Sequence, residues 1–261
     1  MKIIFKIPLT LICIFALLCT SVSALADDGF SWYCKRNKSH SQPEIDAEMS
    51  FIEELDGFYV DRKYADSEEK VIYLTFDAGY ENGNVEKILD ILKAENAKAS
   101  FFVLENLLTK HCELVKRMVN DGHLVGNHTA THKDISKLNY NELKEEVERL
   151  EILYKQVIGR EMPKYFRPPE GRFSRESMKN LQQLGYKTVF WSFAYADWDN
   201  HSQPEPEKAY EKVMSNIHNG AILLLHPTSD TNVQILPRII KSLKSQGYSF
   251  KTVDGLKKLP I

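Results

Sequence analysis

The sequence is poor in cysteine, with four in 261 residues. No two of them stand in Cys-x-x-Cys spacing, which excludes a thiolate metal site. Cys13 and Cys19 belong to an N-terminal apolar segment, leaving Cys34 and Cys112 to form one disulfide or to stay as two free thiols. Long basic runs are missing too, and Lys+Arg 34 balances Asp+Glu 36, so nothing supports a nucleic-acid binder. No internal repeat, low-complexity tract or Pro/Gly-rich linker divides the chain. What it does have is 43% hydrophobic residues, with 11% aromatics spread along its length. That composition excludes a disordered chain and points to one compact domain.

Residues 1–26 read differently from the rest. Lys2 and Lys6 flank an apolar run from Ile7 to Leu18, followed by small residues and Ala24-Leu25-Ala26. This is the three-part pattern of a secretory signal peptide cleaved after Ala26. The run is shorter than the ~20 residues of a membrane span; an uncleaved anchor is the alternative. Export across the cytoplasmic membrane is expected, with no stable membrane span after cleavage.

Residues 27–70 show no sustained period and read as an irregular lead-in. From residue 71 onward, short apolar runs alternate with amphipathic ones. Strand-like runs are Val71–Phe76, Ala99–Val103, His123–Gly126, Tyr165–Arg167, Lys187–Trp191, Ala221–Leu225 and Ser249–Val253. The helical patterns between them are Val85–Glu95, Glu113–Asn120, Asn141–Val157, Arg175–Leu184, Pro206–Ile217 and Val233–Gln246. Asn139 or Asn141 can cap the long charged helix, whose Glu142, Glu145, Glu146 and Glu148 suit a solvated face. Strict strand–helix alternation predicts an α/β fold, a single-domain, distorted and incomplete (β/α) barrel of about seven parallel strands over residues 71–261.

Polar residues fall at the strand exits. Asp77 ends the first strand, His128 follows the third, Arg167 ends the fourth, Asp197 follows the fifth and His226 ends the sixth. In β/α barrels these exits converge on one face, where catalysis occurs. Each residue also has a plainer reading. His128 and His132, four apart, could aim at one metal through a helical turn, or be two surface histidines. Asp77 could cap a loop, His226 be a satisfied core histidine, Arg167 a structural ion pair and Asp197 part of an ordinary loop.

Taken in order, five motifs carry a resemblance: Thr75-Phe76-Asp77-Ala78-Gly79, His128-Thr129-Ala130-Thr131-His132, Arg167-Pro168-Pro169-Glu170-Gly171, Asp197-Trp198 and Leu223-Leu224-Leu225-His226. Over residues 70–255 the chain resembles the polysaccharide deacetylase (NodB-homology) family of carbohydrate esterases. Residues 75–83 and the lead-in, with Trp32, Lys35-Arg36-Asn37 and Gln42-Pro43, are most similar to its delta-lactam-biosynthetic (PdaA-type) subgroup. That subgroup deacetylates N-acetylmuramic acid in peptidoglycan for the muramic δ-lactam of spore cortex. The resemblance implies a hydrolase with Asp77 as general base and His226 as general acid. Arg167 would hold Asp77 ionised, Asp197 would keep His226 protonated, and His128 and His132 would bind a divalent metal, zinc being the expected ion. Tyr80, Trp198, Arg172 and Leu224 would meet the substrate, a peptidoglycan glycan strand. The location implied is the cell wall or the space between forespore and mother-cell membranes.

The sequence departs from the family pattern at two positions. Ala78 stands where a second Asp usually supplies the third metal ligand, so metal binding should be weak. Glu170 stands where an aromatic is common. With Arg172 it could face the lactyl group of muramic acid, and Arg172 could pair with that carboxylate. Alternatives are a deacetylase for N-acetylglucosamine of peptidoglycan or chitin, and a glycan-binding domain that has lost catalysis.

Overall fold

A computed structural model describes residues 29–36 and 39–258; the signal peptide read over 1–26 lies outside them. The strands are β1 (Phe30–Ser31), β2 (Gly57–Phe58), β3 (Lys70–Ala78), β4 (Ala99–Val103), β5 (Leu124–Asn127), β6 (Tyr165–Phe166), β7 (Arg172–Phe173), β8 (Lys187–Val189), β9 (Ala221–Leu225) and β10 (Tyr248–Phe250). The helices are α1 (Phe51–Glu54), α2 (Asn84–Ala94), α3 (Glu105–Lys110), α4 (Cys112–Asn120), α5 (Tyr140–Ile158), α6 (Arg175–Gln183), α7 (Pro206–Met214) and α8 (Asp230–Ser245).

The expected distorted parallel barrel is present. Its sheet runs β10-β3-β4-β5-β6-β8-β2, with β9 also paired to β3, and every pairing in it is parallel. Single bridges from Phe193 to Leu223 and from Val60 to Ala221 draw the two ends of the sheet together. The eighth strand, β2, comes from the lead-in and pairs with β8. The lead-in is therefore not irregular throughout: Phe51, Ile52, Tyr59, Val60 and Tyr64 are buried within the barrel core. Short segments such as β2 carry too few residues to show a period.

Helix ends follow local chemistry. Asn139, not Asn141, caps α5: it accepts from the backbone N–H of Asn141 and Glu142, and the Glu142 side chain reaches back to the Asn139 N–H. Gly185 (φ 83°) and Gly247 (φ 87°) turn the chain in the left-handed region after α6 and α8, where a side chain would be strained.

Alternation along the strands builds two apolar layers. Ile72, Leu74, Phe76, Ala78, Leu223 and Leu225 face outward and pack beneath the helices. Val71, Tyr73, Phe102, Leu124, Ile222 and Leu224 fill the barrel interior. The inward series is the one that reaches the candidate site.

Candidate active site

Each inward series ends in a polar side chain. Val71 and Tyr73 lead through Thr75 to Asp77, Leu124 leads through Gly126 to His128, and Ile222 and Leu224 lead to His226. The register Phe76↔Leu225 sets Asp77 and His226 one step further on two neighbouring strands. Asn127↔Phe166 does the same for His128 and Arg167. The period of two that buries the interior thus also brings the four together at one mouth. Gly126 is needed there, because a Cβ would come within 2.9 Å of both the Phe102 ring and the Tyr165 carbonyl oxygen.

Arg167 organises one side of the mouth. It is fully buried, with its guanidinium 4.3 Å from the Phe102 ring centroid. Nε donates to the Val189 carbonyl (3.0 Å), Nη2 to Phe190 (3.3 Å) and Nη1 to Asp77 Oδ1 (2.9 Å). Two backbone anchors leave the third arm of the fork aimed at the carboxylate. Burial opposes charge on Asp77, but His128, Arg167 and His226 more than offset it and hold its carboxyl below the usual carboxylate range; among these, Arg167 is the permanent cation. The Asp77 side chain is 12% exposed, enough for one face to meet a ligand.

His128 is buried, and its Nδ1 bonds the Arg167 carbonyl at 2.8 Å. A carbonyl only accepts, so Nδ1 carries the proton and Nε2 the lone pair. Burial lowers the His128 pKa to about 4, so the ring is neutral. Its Nε2 lies 3.6 Å from Asp77 Oδ2. The His132 ring is adjacent, 5.1 Å centroid to centroid.

The two rings do not meet through a helical turn, as the spacing suggested. Residues 128–132 form a loop with Thr129 (φ 68°) and His132 (φ 63°) in the left-handed region. A β-branched residue there stores strain that surrounding contacts must overcome. Those contacts are visible: Asn127 Oδ1 accepts from Thr129 N (2.9 Å), and Thr129 Oγ1 accepts from His132 N (2.8 Å). Glu146 accepts from both the backbone N–H (2.9 Å) and the hydroxyl of Thr131. Glu146, expected on a solvated face, is instead buried, with Lys133 at 2.9 Å. The rest of that helix face is charged and exposed; the loop docking on α5 singles Glu146 out.

The opposite side of the mouth is built on Asp197, fully buried. Its Oδ1 meets His226 Nδ1 at 2.7 Å, and its Oδ2 accepts from the His226 backbone N–H (2.9 Å) and from Asn232 Nδ2 (2.6 Å). Burial works against a charged His226, but the hydrogen bond and charge of Asp197, with Asp77 behind them, raise its pKa above the ordinary 6.5. Its side chain is 24% exposed and lies 6.2 Å from the exposed Trp198 ring, centroid to centroid. An ionised carboxylate faces an imidazole whose proton a second carboxylate helps to hold, an arrangement suited to moving one proton in and one out.

Residues 64–189 match the family described as polysaccharide deacetylase. The chain is 39% identical over 235 residues to the peptidoglycan-N-acetylmuramic acid deacetylase PdaA of Bacillus subtilis, covering 89% of this chain and 88% of that protein. The chain belongs to the polysaccharide deacetylase family. The solved structure of Bacillus subtilis PdaA, a family 4 carbohydrate esterase, superposes with a TM-score of 0.82 at 38% identity, covering 88% of this chain and 97% of that one. A peptidoglycan-N-acetylglucosamine deacetylase of Bacillus cereus is 33% identical over 189 residues, 71% of this chain and 67% of that protein. The chain is thus a hydrolase of the deacetylase class.

Members of this family are generally metal-dependent, and the donors here fit an ion only in part. The His128 Nδ1–carbonyl bond is the contact that orients a metal-ligating imidazole. The Nε2 lone pair and Asp77 Oδ2, two acceptors, face each other at 3.6 Å with no hydrogen to share, and a cation would relieve that opposition. Among the described residues, however, no three His, Cys, Asp or Glu side chains are grouped to hold a metal. Ala78, at the position of the usual third ligand, is buried in the outer layer. What the site offers is two facing acceptors, His128 Nε2 and Asp77 Oδ2, with the His132 ring beside them.

The remaining candidates lie around the rim. Tyr80 and Trp198 are exposed, while Leu224 is buried one inward position below His226. Arg172 is 47% exposed and already paired, with Glu170 at 3.1 Å and Asp134 at 3.4 Å. Glu170 itself sits at φ 55°. Reading the sequence alone missed Asn232, which donates to Asp197 and to the His226 carbonyl, and Glu146, which holds Thr131 in the loop between His128 and His132.

Proposed function

We propose that the chain is an exported enzyme that removes the N-acetyl group from N-acetylmuramic acid in peptidoglycan. Asp77 Oδ2 would take a proton from a water attacking the acetamide carbonyl, with Arg167 holding the carboxylate in line. As the C–N bond breaks, His226 would give its proton to the departing amine, leaving acetate and a free amino sugar. His128 and His132 would hold a divalent ion, zinc by expectation, which lowers the pKa of water and polarises the carbonyl. The amine set free can close on the neighbouring lactyl carboxyl, with loss of water, to a δ-lactam, which makes spore cortex the expected setting.

The observation that carries this reading is Asp77 gripped by Arg167 on one side and facing the His226–Asp197 pair on the other. Muramic acid is favoured over glucosamine because likeness to the muramic acid deacetylase spans the lead-in as well, 89% of this chain against 71% for the glucosamine enzyme. The test is mass spectrometry of muropeptides after incubating peptidoglycan with the wild type and with Asp77→Asn. Acetyl loss on the muramyl sugar, abolished in Asp77→Asn, is the expected result. Loss on glucosamine alone would replace this substrate with that one.

A further inference from the structure

We propose that Asn232 is a positioning residue for proton delivery: its side-chain amide clamps Asp197 and the His226 backbone into one unit, and Tyr195 fixes which way that amide faces. This rests on the reading of His226 as general acid. Asn232 lies in the first turn of α8, fully buried. Its Nδ2 donates to Asp197 Oδ2 (2.6 Å) and to the His226 carbonyl (3.0 Å). Its Oδ1 accepts from the hydroxyl of Tyr195, itself buried.

Both amide protons therefore meet acceptors, and the amide oxygen meets a donor. The flipped amide would set oxygen against a carboxylate and a carbonyl, so the Tyr195 hydroxyl selects one orientation. The unit is tied to the fold at both ends. Asn232 N donates to the helix cap Ser229 Oγ (3.1 Å), and Gln203 Nε2 donates to the Asp197 carbonyl (3.0 Å). Without the Asn232 amide, Asp197 Oδ2 keeps only the His226 N–H, and the carboxylate is free to turn away from Nδ1. Neither Asn232 nor Tyr195 need touch the substrate.

A leaving group that departs unprotonated separates this role from a purely structural one. Asn232→Ala, Tyr195→Phe and His226→Ala should each be assayed on an N-acetylated amino-sugar oligomer and on 4-nitrophenyl acetate, whose phenolate needs no proton. Asn232→Ala should lower kcat on the amide about tenfold or more, a part of the 10²–10⁴ that acid catalysis supplies, with KM within about twofold. The ester should change by less than about twofold, as transition-state loss confined to one substrate requires. Tyr195→Phe should show the same pattern more weakly, and it carries the test should Asn232→Ala fail to fold. Equal losses on amide and ester, or a change in KM alone, would overturn the proposal. If His226→Ala is amide-selective while neither clamp variant is, the clamp fails and the acid stands. If His226→Ala is not selective, the acid assignment falls and the clamp with it.

Discussion

His128 and His226 stand at the ends of two strands of one barrel, and each is held through Nδ1. One ring meets a backbone carbonyl and is pushed down to about 4; the other meets a buried carboxylate and is raised above 6.5. A carbonyl fixes a tautomer and favours the cation too weakly to offset burial, whereas a carboxylate favours it strongly enough to do so. The same side chain is made a lone-pair donor in one place and a proton donor in the other by the atom behind it.

The sharpest way to break that contrast is Asp197→Asn, which keeps the shape and removes the charge behind His226. Deacetylation should fall by about 10² or more. The alkaline limb of the kcat/KM profile, set by loss of the His226 proton, should move to lower pH, because a raised pKa keeps the acid protonated further upward. The stability that Asp197 confers through His226 is complete below the ordinary imidazole value and is lost as pH rises through the folded one. Asp77 behaves in the opposite sense: its lowered pKa confers stability above the ordinary carboxylate value, lost as pH falls through the folded one. A pH series of thermal melts should place wild type above Asp197→Asn below the ordinary imidazole value, with the gap closing as pH rises through the folded one.

A smaller effect is expected on the other ring. Glu146→Ala leaves the Thr131 N–H without its acceptor beneath a strained loop, which should cost about 1–3 kcal/mol in urea unfolding. It should disturb the His128–His132 pair while leaving the His226-dependent alkaline limb in place; a shifted limb would show that the two sides are not separable. Arg172→Ala touches neither ring and should change substrate choice, weakening activity on muramyl glycans several-fold more than on chitooligosaccharides, consistent with an exposed charge-assisted contact. Equal loss on both would remove Arg172 from recognition. Least of all should come from Cys34→Ser and Cys112→Ser. Both thiols are free, so a reducing agent or either substitution should leave the unfolding free energy within about 0.5 kcal/mol of wild type.

The sequence revealed the parallel barrel and the strand exits because alternation of apolar and polar residues is a local signal. Asp77 and His226 were visible as polar residues at the ends of apolar runs. Glu146 was hidden among Glu142, Glu145 and Glu148, since its burial is decided by a loop that docks from elsewhere. Asn232 was hidden for the same reason: its partners Asp197 and Tyr195 are 35 and 37 residues away. The strand Gly57–Phe58 was too short to announce itself, and the adjacency of the two loop histidines came from left-handed residues rather than from a helical repeat.

Because the inward positions of β3 and β9 step by two from core to mouth, frame and function are locked together. Removing a single residue near the middle of β9 would turn His226 toward the helices and leave Pro227 at the opening in its place. Turnover therefore serves as a gauge of strand alignment: a chain threaded one residue out of place could still bury much of its oil, yet it would have no working pair at the rim.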